Sequence, residues 1–111
     1  MEVGFSSSRV QALFNNPANL RRRHGAERAK KIELRLSQIL AAADLAELCR
    51  LPQARCHQLT ADRSEQFSLE LDGPNRLLVE VVDDPVPRLP DGGIDRAQVH
   101  RLYVVDVTDT H

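Results

Sequence analysis

Aromatic residues are scarce in this chain: three Phe, one Tyr and no Trp, 4% of 111 residues. Rings supply much of the buried area in small domains. The core must therefore come from Leu, Val, Ile and Ala, and is expected to be thin enough for a partner to add stability. Cysteine is just as sparse. Cys49 and Cys56 are the only two, with no CxxC pair and no zinc-type Cys/His spacing, so free thiols are expected. No apolar run approaches the ~20 residues of a membrane span, and Met1-Glu2-Val3-Gly4-Phe5 lacks the basic-then-apolar order of a signal peptide. A cytoplasmic protein with no membrane partner is expected. The chain also lacks a phosphate-cradling glycine loop, GxSxG, HExxH and RNP-type aromatic interleaving. Most enzyme classes are thus unsupported, and nothing calls for a metal or a cofactor.

What is present reads as one globular domain over residues 1–111, with 41% hydrophobic and 28% charged residues and only 11 Pro plus Gly. The net charge of −1 conceals an asymmetry: the first sixty residues hold ten Lys/Arg against five Asp/Glu, and the remainder five against eleven. Any anion-binding surface has to be local.

Glu2 to Phe5 can form a short strand. Ser6 to Ser8 then offer caps for a helix carrying Val10, Leu13 and Phe14 on one face. Asn15-Asn16-Pro17 breaks it, and Pro17 suits the first turn of a second helix. In that helix Ala29, Ile32, Leu36, Ile39, Leu40 and Ala43 recur at helical spacing. Asp44 caps a short continuation through Leu45 and Leu48, which Pro52 ends. Beyond it the period changes to two. Arg55 to Leu59 is a weaker strand. Gln66 to Leu71 and Arg76 to Val82 make a hairpin about Asp72-Gly73-Pro74-Asn75, and Arg101 to Thr108 is a final strand. Residues 83–98, with three Pro and two Gly, form a long loop, expected as an exposed insertion in a hairpin. The expected class is α+β: a short N-terminal strand and a helical hairpin packed on a mainly antiparallel sheet.

Of four histidines, at 24, 57, 100 and 111, two are placed for acid/base work. His57 lies in the first strand of the sheet and His111 follows the last, so antiparallel pairing could bring both to one edge. Arg63 and Arg76 flank the hairpin's first strand and could hold a phosphate between strands. The Arg21-Arg22-Arg23-His24 cluster, near a helix start, reads as a solvated or acid-paired helix face, with an RNA-facing helix as the alternative.

His57-Gln58-Leu59, Arg63, Gln66-Phe67-Ser68-Leu69, Asn75-Arg76-Leu77 and the closing Asp109-Thr110-His111 resemble, in order and spacing, the HigB (host inhibition of growth) branch of the RelE/ParE toxin superfamily. The resemblance implies a RelE-like fold and a ribosome-dependent messenger-RNA endoribonuclease of a type II toxin-antitoxin system. It implies as partners the ribosome with its mRNA and a helix-turn-helix antitoxin. Carried over by position, His57 and His111 match the family's catalytic histidines, Asp109 its neighbouring acid, and Arg76 the arginine that opens the strand after the hairpin; Arg63 is the second cation. This chain departs from the pattern at Thr110 (tyrosine in the family), Thr60 (lysine), and Ala61 and Glu65 (glycines). A non-catalytic binding module on the same fold is the alternative: a gyrase-inhibiting ParE-like toxin, or a degenerate toxin that binds antitoxin.

Overall fold

The computed structural model describes residues 1–60 and 65–109. Arg63, Thr110 and His111 lie outside the described residues. The chain begins with β1 (Glu2–Phe5) and α1 (Ser8–Phe14), whose N-terminus is capped by the Ser7 side chain accepting from the Val10 N–H. Next comes α2 (Pro17–His24), in which the Asn16 side chain accepts from the N–H groups of Ala18 and Asn19 and Pro17 occupies the first turn. α3 (Ala26–Ala41) and α4 (Leu45–Cys49) follow, the latter capped by Asp44 accepting from the Glu47 N–H. A 3₁₀ turn (Pro52–Ala54) leads to β2 (His57–Gln58), β3 (Gln66–Glu70), β4 (Asn75–Val81), a second 3₁₀ turn (Arg96–Gln98) and β5 (Arg101–Asp109).

The second helix anticipated from sequence is two helices. Gly25, at φ 82° and ψ 160°, is both the C-cap of α2 and the N-cap of α3, a conformation that side-chain-bearing residues rarely adopt. The expected apolar stripe is also modified. Ile32 and Ile39 are fully buried, but Leu40 is 61% exposed, and the position beside the half-buried Leu36 is filled by Arg35, only 1% exposed. Arg35 survives burial by spending its donors: Nε to the Glu70 carbonyl at 2.7 Å, Nη2 to the Gln53 carbonyl at 2.8 Å, and Nη1 to Gln38 Oε1 at 3.1 Å.

The five strands form one mixed sheet in the order β1-β5-β4-β3-β2. β1 runs parallel to β5, with Glu2 opposite Arg101 and Phe5 opposite Val104, and every other pairing is antiparallel. An α+β fold with a mainly antiparallel sheet is what the alternation of periods predicts. The helices cover one face. Val10, Phe14, Leu20, Ile32, Ile39, Leu45 and Leu48 join a single core with Phe67, Leu69, Leu77, Val79, Leu102 and Val104. The alternate strand positions, Ser68 and Leu78 among them, lie outside that core although buried.

Residues 83–98 fold back instead of standing clear of the domain. Ile94 and Val99 are buried, Arg88 bridges to Ile94 and ion-pairs with Glu65, and Asp83 accepts from the N–H groups of His100 and Arg101 at 3.1 Å each. Ile94, with the half-buried Val86, gives this proline-rich segment its own hold on the core, and Val99 just beyond it continues that hold. Among the described residues, no helix is long and apolar enough to cross a membrane.

Candidate functional site

The face without helices carries two of the polar residues singled out in the sequence, His57 and Arg76, whereas Asp109 pairs with Asn75 and so lies on the other face. Sheet register sets their relation: His57 stands opposite Ser68, Ser68 opposite Leu78 and Leu78 opposite Asp106, while one step along the strands Glu70 stands opposite Arg76 and Arg76 opposite Thr108. Paired residues share a face, so His57 and Arg76 are on the same side. Two strand spacings across and two residues along separate their Cα atoms by about 12 Å, a gap that a guanidinium and an imidazole can bridge around one bound group. Asp109 ends β5 opposite Asn75, about 17 Å from His57 by the same arithmetic.

The structure does not place β2 and β5 on one edge. β3 and β4 stand between them, and β5 is flanked on its other side by β1. The reason is pairing partners: β2 and β4 both pair with β3, leaving β5 to add beyond β4. His57 is therefore at the far edge of the sheet from β1, with its side chain exposed. His100 is taken up structurally, its Nδ1 donating to the Ala43 carbonyl at 3.0 Å. His24 is pushed below the ordinary histidine range, by burial first and then by Arg28 and Arg23, and its Nε2 is buried without a hydrogen-bond partner among the described residues. A neutral imidazole at the end of α2 follows.

Arg76 is half-buried, and its Nη1 is buried without a hydrogen-bond partner among the described residues. An N–H in that state loses hydration with nothing to replace it. An anion arriving on this face would supply the missing acceptor. Carboxylates temper that attraction: Glu70 sits beside Arg76 in register, Glu80 and Asp106 share the face, and Glu70 is itself ion-paired to Arg55 at 3.2 Å.

A larger cleft, of about 450 Å³, opens between α3 and the Pro52–Ala54 turn and is lined by Lys31, Arg35, Gln53, Arg55 and Glu70. Its cations are largely engaged, Arg35 with two carbonyls and Gln38 and Arg55 with Glu70. The cleft therefore joins helix to sheet more than it offers an open anion site.

Two features were not anticipated from the sequence. Tyr103 lies across Gly4 of the neighbouring strand, so close that a Cβ there would stand 2.6 Å from the ring. Cys49 and Cys56, expected as separate thiols, have their sulfurs 3.0 Å apart. The only sequence signal for the second was the helix-ending Pro52 between them. Comparison of the chain with family models, with curated proteins and with solved structures finds no match in any of the three.

Proposed function

We propose that the chain is a HigB-like toxin of the RelE/ParE superfamily that cleaves messenger RNA on the ribosome and is silenced by a helix-turn-helix antitoxin. The observation that carries this reading is the unpartnered Nη1 of Arg76 on the same helix-free face as the exposed His57. Cleavage requires a ribose 2′-OH to lose a proton, attack the adjacent phosphorus and expel a 5′-oxygen that gains one, while charge builds on the phosphate oxygens. His57 supplies one end of the proton traffic, with His111 as its counterpart and Asp109 to orient it. Arg76, aided by Arg63, takes the developing charge.

The same face favours a second reading. Glu70, Glu80 and Asp106 around Arg76 oppose a polyanion, which suits a binding module that keeps the fold and the antitoxin surface without cleaving RNA. Induced expression with ribosome-associated mRNA mapped by primer extension separates the two. On the nuclease reading the parent arrests growth and cuts mRNA, and Arg76→Ala loses cleavage by roughly 100-fold or more with little change in melting temperature. Equal losses of cleavage and stability would make Arg76 structural. A parent that cuts nothing in translating extract, yet binds an antitoxin tightly, would establish the binding module.

A further inference from the structure

Cys49 closes α4 and Cys56 leads directly into β2. The chain between them reverses through the Pro52–Ala54 turn and Arg55, whose φ of 42° is left-handed. That reversal sets the two thiols in contact, 3.0 Å sulfur to sulfur and both half-buried. A third group faces them from residues 83–98. The Arg96 guanidinium lies 5.0 Å over the centre of the Phe67 ring and donates from Nη2 to Gln58 Oε1 at 3.1 Å, which holds its charge beside the Cys49 sulfur. None of these groups has a part in the chemistry assigned to His57 and Arg76.

We propose that Cys49 and Cys56 form a dithiol oxidation site, at which a hydroperoxide converts the pair to an intramolecular disulfide and Arg96 holds the attacking sulfur as its thiolate. The two sulfurs are not equivalent. The Cys49 thiol is lowered to about 7, by the hydrogen bond from Cys56 and by Arg96 against the opposing effect of burial, whereas the Cys56 thiol is pushed up. With Arg96 on the Cys49 side, the shared proton stays on Cys56. Cys49 is thus the nucleophile and Cys56 the resolving thiol.

The chemistry balances in two steps. The Cys49 thiolate attacks one peroxide oxygen, the O–O bond breaks, and the departing hydroxide takes a proton to become water, leaving a sulfenic acid. The Cys56 sulfur then attacks the Cys49 sulfur, the S–O bond breaks, and the leaving hydroxide takes the Cys56 proton as a second water. The peroxide is reduced by two electrons, and both sulfurs end in one S–S bond that ties the end of α4 to the start of β2.

The test is hydrogen peroxide at pH 7 on the full chain, read by intact mass and peptide mapping. The expected product is a monomer lighter by two hydrogens, with the Cys49 and Cys56 peptides linked, and restored by dithiothreitol. Cys56→Ser should stop at a sulfenic acid on Cys49 that dimedone traps, and Cys49→Ser should stay unoxidised. Arg96→Gln should slow the reaction roughly two- to threefold, as it removes the guanidinium's share of the thiolate's stabilisation and leaves the larger share, the hydrogen bond from Cys56. Should that variant unfold, the trapping result with Cys56→Ser still decides. Unchanged mass, a sulfenic acid on Cys56 instead, or disulfide-linked dimers as the product would each overturn the proposal.

Discussion

Arg35→Ala is the substitution from which we expect the largest loss of stability, and the structure sets its size. Arg35 is 1% exposed and ties α3 to two other elements through the Glu70 carbonyl on β3 and the Gln53 carbonyl in the 3₁₀ turn. Truncation removes three charge-assisted hydrogen bonds, to the Glu70 and Gln53 carbonyls and to Gln38 Oε1, and each acceptor left unsatisfied costs about 1–3 kcal/mol. It also empties the space of a long side chain in a close-packed interior. Against these losses stands the relief of a guanidinium held out of water, whose burial lowers its proton affinity. The balance is about 3–4 kcal/mol of destabilisation, a large share of the ~5–15 kcal/mol that holds a domain folded. In urea unfolding with a slope near 2 kcal/mol per molar, the midpoint should fall by about 1.5–2 M at unchanged slope. Arg35→Lys keeps the charge but reaches fewer acceptors, and should lie between. A midpoint shift below about 0.5 M for Arg35→Ala would refute the view that this residue fastens helix to sheet.

Gly4→Ala would put a methyl 2.6 Å from the Tyr103 ring, forcing the ring aside at a cost of about 1–3 kcal/mol. Tyr103 is the sole tyrosine and there is no tryptophan, so intrinsic fluorescence reports that ring alone, and an unchanged spectrum with unchanged melting would argue against the contact. At Gly25 a Cβ meets nothing within 4 Å, but φ is +82°. Gly25→Ala should therefore lose about 1–3 kcal/mol to backbone strain alone, and equal thermal stability in the variant would mean that the junction of α2 and α3 relaxes freely. Because the Cys49 thiol is lowered to about 7, its thiolate forms as pH rises through that value. Alkylation by iodoacetamide should climb through neutrality and level off near pH 8, whereas a rate rising only above about 8.5 is that of an ordinary thiol.

Local chemistry made much of the fold legible. Asp44 and the serines around Ser7 announce two helix starts by the side-chain oxygen each offers to an orphan N–H, Pro17 marks a third by its place in the first turn, and Asp72-Gly73-Pro74-Asn75 marks the β3–β4 reversal. Gly25 escaped notice because an apolar period can run through a single glycine, and only a positive φ turns that glycine into a break. Arg35 was hidden for another reason: its burial depends on carbonyls from β3 and the 3₁₀ turn, which no helical period encodes. Candidate site residues were legible by type but not by distance. His57 and Arg76 share a face because of strand register, and the wide separation of His57 from Asp109 follows from β5 adding beyond β4. The meeting of Cys49 with Cys56 needs a left-handed Arg55, a backbone state that the residue type does not predict.

The parallel pairing of β1 with β5 has a consequence in time. Residue 2 is matched with residue 101, so β1 has no strand partner until nearly the whole described chain has been made. In the interval β1 can touch only helices, as Phe5 does with Phe14 at 6.2 Å between ring centres, and α1 to α4 have no complete sheet to lie on. Pairings this distant in sequence are costly to close and slow to form. Synthesis therefore runs ahead of folding, and β1 takes its place in the sheet only after β5 has been made.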